Sequence, residues 1–567
     1  MRAQRAILIR TFLGGEEKDR NMPDRFVADM VLLDGKIVTV DGAFSITEAV
    51  AIKDGRFLAV GKDRDIQPLI GKHTRVFTLS GKTVVPGFVD SHIHMGWTGL
   101  NLNKINLRGI SSIDEVLEAI EEKVLHTPED QWVQGFGWDE GYFREKRYPT
   151  RWDLDKVSGE HPVHLARAYG HIETVNSKVL KMAGITRSTP DPAGGKILRD
   201  SGTGEPSGVL SGQGALRLIE KIIPHPSLKE QKEVIRAITR KFSAAGITSV
   251  CDGWCYPEDF RIFQEIKEAG DLTVRICGMV KVDAGVKPLK DCLADIEGWG
   301  PYTGFGDHML KIGGIKLVLD GGIGGKTALT RTPYADDSAN LGLQVIPTSE
   351  LIEICKLAAR NSWQVGVHCC GGRAVDLTLE AYQEAHAEKS IKNRRWVLIH
   401  AYEPNERTFA ACRRLGIVVA AQPVFIHLMG HSFLSGWGRK RASCACPLKG
   451  WLSQKIHIGG GSDSPMTTYE PLLGIWAAVN RRAELTGEQL GGEQCIPVRE
   501  ALRMFTRESA YLTFDEGTKG SIEPGKLADL VVLGEDILSI PKMNIKDVPI
   551  LMTVMDGRIV YEDKAVL

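Results

Sequence analysis

Two histidines separated by a single residue follow a short apolar segment near position 90. Residues 86–94 read PGFVDSHIH, which places His92 and His94 two positions apart. On a β-strand, residues i and i+2 point to the same face. His92 and His94 can therefore offer two imidazole groups to one metal ion. If they end a barrel strand, they lie where such barrels hold their active sites.

Further residues with metal-binding chemistry stand at or near the ends of later apolar segments. They are Lys316, His368, His400 and Asp463. Imidazole and carboxylate groups are ligands that Zn²⁺ and related divalent ions take. A lysine amine is a poor bridge, but its reaction with CO2 gives a carbamate that could bridge two ions. The sequence predicts one or two divalent ions, Zn²⁺ before Mn²⁺, Fe²⁺ or Co²⁺, held by His92, His94, Lys316, His368, His400 and Asp463.

This set of residues also predicts hydrolysis. A bound metal ion lowers the pKa of a water ligand to about 7, which supplies hydroxide at neutral pH. Asp463 would be the general base, and carboxylated Lys316 would complete the catalytic centre. Simpler interpretations stand beside these roles. Lys316 could be a structural ion-pair partner, and Lys311 on the same strand is a rival for its role as a ligand. Asp463, in GGGSDSP, could serve merely as the cap of a helix.

The elements that must position these residues alternate between strands and helices. Stretches such as SLKEQKEVIRAITRKFSAAG have the apolar spacing of helices. Eight strand–helix units make a closed (β/α)8 TIM barrel the simplest α/β architecture. The candidate strands are residues 84–94, 246–254, 272–280, 310–322, 364–372, 395–402, 416–424 and 455–463.

The two ends of the chain share a second pattern, short alternating strands with Asp-Gly hairpin turns. They predict a small β-sandwich domain built from both termini, residues 26–85 and 511–567, around a barrel of residues 86–510. Residues 130–240 interrupt the barrel after its first strand and predict an inserted lid or substrate subdomain. Residues 1–25 are expected to be a disordered extension.

Four residues are candidates for substrate contact. They are Trp97, Trp138, His171 and Asp320. Aromatic residues such as Trp97 and Trp138 more often belong to a core than to a pocket, and His171 could simply hold the insertion together. Asp320 begins a glycine-rich stretch that could form a loop over the site.

Composition excludes several other classes of function. Lys+Arg and Asp+Glu both number 71 in 567 residues, which argues against binding to nucleic acid or to an anionic membrane. No apolar run approaches the roughly 20 residues of a membrane span. The eleven cysteines lack paired CxxC spacing. Together with the lack of a recognisable secretory signal, the cysteine pattern favours a cytoplasmic protein. The expected binding partner is a small-molecule substrate.

Taken together, the motifs resemble the metal-dependent amidohydrolase superfamily, and more closely its YtcJ-like branch, which includes N-substituted formamide deformylases. The resemblance extends over roughly residues 28–562 and rests on PGFVDSHIH, GFGWDE, PVHLARAYGHIETVNSKVL, GIKLVLDGGIGGKTA, VGVHCCGG, GGSDSPM and GSIEPGKLADLVVL. It implies a (β/α)8 barrel with a terminal β-sandwich, the six ligands above, and a homodimer or higher oligomer. Three departures are HCCGGR after the fifth strand, Ile399 before His400, and Gln213 in place of an acidic residue.

The predicted reaction is hydrolysis of a C–N bond in an amide or formamide-type small molecule. The same site could instead hydrolyse an ester or lactone, or deaminate a heterocycle. A non-enzymatic regulatory protein on the same fold is a third interpretation. An intact set of six ligands argues against it.

Overall fold

Eight parallel strands form the centre of the molecule in the computed structural model, which describes residues 27–168, 170, 172–192, 194–300 and 302–564. Each strand pairs with the next strand of the barrel along the chain, so the strands form one continuous parallel sheet. This sheet confirms the predicted barrel. Its strands are Phe88–Ile93, Ile247–Cys255, Arg275–Lys281, Leu310–Val318, Val365–Cys369, Val397–His400, Val418–Ala421 and Ile458–Gly460.

Helices follow the strands and cover the outside of the barrel. The helix before the second strand begins at Ser227, whose hydroxyl accepts from the backbone N–H of Glu230 in a capping box. Its buried face packs apolar side chains such as Ile238 and Phe242. The barrel helices are Met95–Leu100, Leu228–Ala244, Pro257–Glu268, Leu289–Gly298, Thr348–Arg360, Gly372–Glu388, Glu406–Leu415, Val424–Leu428, Gly430–Ser443, Leu448–Ser453, Pro471–Asn480, Val498–Arg503 and Ser509–Leu512, with a π-helical turn at Met504–Glu508.

The first and last barrel strands meet through the residues that follow them. The backbone N–H of Asp463 donates to the His92 carbonyl at 2.8 Å, and the N–H of His94 donates to the Ser464 carbonyl at 2.8 Å. Asp90 supports the same junction, because its Oδ1 accepts from the N–H groups of His92 and Ser462. The closure of the barrel therefore places His92, His94 and Asp463 side by side.

Two smaller sheets lie beside the barrel, one built from N-terminal strands alone and the other from strands of both ends of the chain. The predicted first strand, 84–94, is two strands: Thr83–Pro86 pairs with Leu530–Leu533 in a terminal sheet, and Phe88–Ile93 enters the barrel. One sheet has the order Arg56–Gly61, Ala49–Lys53, Met30–Leu33 and Arg75–Thr78; the other has the order Arg558–Glu562, Ile550–Met555, Leu530–Leu533, Thr83–Pro86, Lys36–Val38 and Ile46–Thr47. Short helices at Asp63–Ile66, Gln67–Leu69 and Lys542–Asp547 connect these strands.

A buried ion pair joins the barrel to the terminal sheets. Arg275, the first residue of the third barrel strand, donates from Nε and Nη2 to the two carboxylate oxygens of Asp529, both at 2.8 Å. Both side chains are almost fully buried. Such a pair, bidentate and buried, fixes the orientation of the barrel relative to the terminal sheets because a lone charge left there would be costly.

The insertion after the first barrel strand has its own six-stranded sheet and its own core. The sheet has the order Lys196–Arg199, Pro206–Ser211, Ile172–Val175, Val163–Arg167, Val133–Trp138 and Ile105–Asn106, with helices Ile113–Leu125, Arg151–Leu154, Ser177–Met182 and Gln213–Glu220. It therefore extends from Ile105 to about residue 220 rather than over the predicted 130–240. The helix Leu228–Ala244 belongs to the barrel instead, because its apolar face packs with the second strand.

The expected disordered extension, residues 1–25, lies outside the described residues. Among the residues that are described, no helix combines the length and the apolar character that crossing a membrane requires.

Candidate metal centre

The six predicted ligands come from five barrel strands or the residues just after them. His92 and His94 lie at the end of the first strand, Lys316 in the fourth, and Asp463 shortly after the eighth. His368 and His400 lie at the ends of the fifth and sixth strands. All except His368 are buried. Because parallel strands end at one rim, the barrel brings these side chains to a single place.

The carboxylate of Asp463 is the centre of the first group of donor atoms. Its Oδ1 lies 3.3 Å from Nε2 of His92 and 3.0 Å from Nε2 of His94. Lys316 approaches from the fourth strand, with Nζ 3.2 Å from the same His92 nitrogen. His400 completes a compact set, since its ligand atom and those of His92 and Asp463 lie within 4.8 Å of one another.

The second group is formed by the histidines of the fifth and sixth strands. His368 Nδ1 and His400 Nε2 are 2.9 Å apart. The opposite nitrogen of each ring has another partner: His400 Nδ1 lies 2.7 Å from Oε1 of Gln422, and His368 Nε2 lies 3.3 Å from the Gly321 carbonyl. Both acceptors require an N–H, which leaves the facing nitrogens as lone-pair donors.

Burial sets the protonation of this centre. It lowers the pKa of His92 to about 3 and also lowers the pKa of His400. Burial alone would raise the pKa of Asp463, but the nearby imidazoles, His400 foremost, hold that pKa well below its usual range. At neutral pH the centre therefore presents neutral imidazoles around an ionised carboxylate, which is the state that binds divalent cations.

A divalent ion fits these residues. Asp463 Oδ1 is buried and makes no hydrogen bond to any described residue, although two imidazole nitrogens lie about 3 Å away. Separations of about 3 Å are those expected between donor atoms that each lie about 2.0–2.2 Å from a shared Zn²⁺. A buried carboxylate oxygen with no hydrogen bond is otherwise costly. The donor set thus matches an ion rather than a hydrogen-bonded network.

Local backbone features make room for the imidazoles. A methyl group added at Gly253, on the second strand, would lie 2.2 Å from Cε1 of His92, so only glycine leaves space for that ring. His400 and Asp463 adopt left-handed φ values of 75° and 58°. Such conformations are unfavourable for residues other than glycine, and they cluster at functional sites.

The predicted substrate residues have different surroundings. Trp97 lies beside the centre, with its ring centroid 4.9 Å from that of His94. Trp138 is instead fully buried in the core of the insertion, where its indole N–H donates to the Leu165 carbonyl. Its ring offers no surface to a substrate, because Phe143 and other apolar side chains enclose it. His171 lies outside the described residues.

Asp320 also has a role different from the predicted substrate contact. Its two carboxylate oxygens accept from the backbone N–H groups of Leu329, Cys370 and Gly371 at 2.8–2.9 Å. Burial raises its pKa to about 7, although these hydrogen bonds oppose the shift. The side chain is therefore fully used in joining the loop after the fourth strand to the end of the fifth, beside His368.

Several residues of the centre were not predicted from the sequence. Gln422 orients His400, Trp254 lies against Trp97, and Cys370 Sγ lies 3.3 Å from His368 Nε2. Cys370 forms a second potential metal set with His368 and His400. One signal was available for Cys370, since it stands two residues after His368, the same spacing as in His92 and His94.

Comparison with known proteins identifies the class. The model of the Amidohydrolase family matches residues 75–561. The chain is 33% identical over 524 residues to the putative amidohydrolase YtcJ of Bacillus subtilis. The aligned region covers 91% of this chain and 96% of that protein. It is 27% identical over 553 residues to the N-substituted formamide deformylase of Arthrobacter pascens, covering 94% and 98%. An uncharacterized metal-dependent hydrolase from Pyrococcus furiosus matches its structure with a TM-score of 0.70 at 27% identity, over 90% of this chain and 100% of that one.

The chain therefore belongs to the amidohydrolase family, and the predicted resemblance to its YtcJ-like and formamide deformylase-like members is confirmed. The predicted class of enzyme, a metal-dependent hydrolase that acts on C–N bonds, is likewise confirmed.

Proposed function

We propose that this protein hydrolyses the C–N bond of an amide or formamide-type small molecule at the centre formed by the six strand-end residues. The observation that carries the proposal is the buried Asp463 Oδ1, which faces two imidazole nitrogens at 3.0 and 3.3 Å without a hydrogen bond. The likeness to the N-substituted formamide deformylase supports the bond type.

His92, His94 and Asp463 would hold one divalent ion, and His368 and His400 would complete a site for a second. Zn²⁺ suits this set of nitrogen and carboxylate donors best. When bound, the metal supplies an acidified water and polarises the substrate carbonyl.

The chain's own residues supply proton transfer and positioning. Asp463 is ionised at neutral pH, so its carboxylate can accept a proton at Oδ2 from the attacking water and return it to the departing nitrogen. The hydrogen bond to Gln422 holds the ring of His400 during this exchange, and the Gly321 carbonyl holds the ring of His368.

Lys316 is proposed as a carboxylated lysine. It is fully buried, and burial lowers the pKa of its amine to about 8. A lysine that is easily deprotonated can react with CO2, because the neutral amine is the nucleophile. Its Nζ lies 3.2 Å from His92 Nε2, at the edge of the first group, and a carbamate there would supply an anionic oxygen ligand.

The test combines metal removal with substitution. A chelator should abolish hydrolysis of simple formamides, and added Zn²⁺ should restore it. Asp463→Asn should lose at least 1,000-fold in kcat/KM, about 4 kcal/mol of transition-state stabilisation. Asp114→Asn, on an exposed helix of the insertion, is the matched control and should retain activity. Full activity in metal-free protein would refute the proposal. The predicted small-molecule substrate, cytoplasmic location and homo-oligomeric state stay predictions.

A further inference from the structure

An exposed indole lies next to the metal centre. Trp97, in the short helix after the first barrel strand, exposes 38% of its surface. Single exposed aromatic residues are common on protein surfaces. Trp97 differs because its ring lies in one cluster with the predicted ligand His94 and a second indole, Trp254, at centroid distances of 4.9 and 4.7 Å, and the His94 and Trp254 rings are themselves 5.8 Å apart.

Trp254 is held firmly at the end of the second barrel strand. Its backbone N–H donates to Asp252 Oδ1 at 3.1 Å, and the ammonium of Lys281 lies 4.9 Å from its ring centroid. Lys281 is itself buried and lies 3.5 Å from Asp283. A cation over an indole face stabilises that ring in place. Trp97 and Trp254 thus form a fixed aromatic surface, called the aromatic shelf below.

The shelf lies beside the predicted metal centre, because the ring centroids of Trp97 and Trp254 are 4.9 and 5.8 Å from that of His94. A group attached to an amide held at His94 and Asp463 would have these indoles as near neighbours. A flat aromatic ring gains offset or edge-to-face contacts with indoles beyond the burial of its area, whereas a saturated ring gains only the burial.

We propose that the aromatic shelf determines substrate specificity: the substrates are amides or formamides that carry an aromatic ring, and Trp97 and Trp254 bind that ring. The inference rests on the proposed function and narrows it to one chemical class. The expected preference for an aromatic over a saturated ring is about 2- to 12-fold in kcat/KM, the range that corresponds to one aromatic contact.

The experiment compares two probes that differ only in the ring, N-(2-phenylethyl)formamide and N-(2-cyclohexylethyl)formamide, on the metal-loaded protein. The wild-type protein should prefer the phenyl compound within the stated range, mainly through KM. Trp97→Ala should bring the ratio close to one, and Trp97→Phe should restore most of it. Trp254→Phe keeps a ring and should reduce the ratio only slightly.

A matched control is Trp152, an equally exposed indole of the insertion that contacts Arg151. Trp152→Ala should leave the ratio of the two probes unchanged. A wild-type ratio near one, or a ratio that Trp97→Ala does not change, would overturn the inference. Metal content, measured for every variant, shows whether an altered ratio has its origin in a disturbed His94.

Binding separates a failure of the shelf from a failure of the proposed function. The amines 2-phenylethylamine and 2-cyclohexylethylamine carry the same charge and can be compared by calorimetry without any turnover. If neither formamide is hydrolysed, the proposed function fails, and the binding ratio of the amines alone decides on the shelf. Tighter binding of the phenyl amine that is lost in Trp97→Ala supports it, and equal binding refutes it.

Discussion

Gln422 offers a sharp test of how the metal centre is organised. Its Oε1 lies 2.7 Å from Nδ1 of His400, and the side chain is buried. Gln422→Leu retains most of the volume but removes the acceptor. The ring of His400 would then lose the contact that fixes its tautomer and keeps Nε2 directed toward His368.

The magnitude follows from the buried N–H that the substitution leaves without an acceptor. Such a group costs about 1–3 kcal/mol. The ring can avoid that cost by rotating or by shifting its proton to Nε2, and both responses remove the lone pair from the metal. Loss of an outer partner of a metal-binding histidine typically weakens metal binding by about 10- to 100-fold. We expect Gln422→Leu to fall within this range.

The assay is competition for Zn²⁺ against a chromophoric chelator at fixed pH. Gln422→Glu keeps an acceptor at the same position and should bind Zn²⁺ within about threefold of wild type, since carboxylates are common partners of metal-bound histidines. Gln264→Leu, on an exposed helix, controls for the change of residue type. Unchanged Zn²⁺ affinity in Gln422→Leu would show that the carboxamide does not orient His400, and the assignment of facing nitrogens would be wrong.

Three further predictions follow from the geometry. Gly253→Ala places a methyl group 2.2 Å from the ring of His92, so Zn²⁺ content should fall at least tenfold while circular dichroism stays unchanged; a fully loaded variant would contradict this. Arg275→Met leaves Asp529 as an unpaired buried charge and should destabilise the protein by about 3–5 kcal/mol in urea unfolding, with substantial recovery in Arg275→Met/Asp529→Leu. Burial lowers the pKa of Lys316 to about 8, so its neutral amine rises from about a tenth of the population at pH 7 to about nine tenths at pH 9; a ¹³C carbamate signal from labelled bicarbonate should increase over that interval and be missing in Lys316→Met.

The barrel, and the placement of the six predicted ligands at one rim, could be predicted because both depend on local patterns. Apolar runs that alternate with helical spacing identify parallel strands, and a polar residue at the end of such a run must lie at the rim. His92 and His400 needed nothing more than this rule to be brought to one end of the barrel, whereas the rule alone does not select Lys316 over Lys311 on the same strand. The structure shortens several strands, but it does not move these residues away from the rim.

The remaining features depend on side-chain directions and on contacts between distant segments. Trp138 and Trp254 both follow apolar runs, yet one is enclosed by the core of the insertion and the other faces the metal centre. The role of Gln422 depends on which nitrogen of His400 it meets. Asp320 is polar and close to the centre, but backbone N–H groups from two loops occupy its oxygens. No periodic pattern contains that information.

The junction of the first and last barrel strands has a consequence for biosynthesis. Asp90 and Ser462, which bond across it, are 372 positions apart in the chain. While the ribosome synthesises the protein, the histidines at the beginning of the barrel are made long before Asp463, the carboxylate that lies beside them. The terminal sheet also depends on a strand that is made late, because Thr83–Pro86 pairs with Leu530–Leu533. A nascent or truncated chain that ends before Asp463 therefore lacks the carboxylate of the predicted metal centre, and the proposed centre can form only after the last barrel strand has been made.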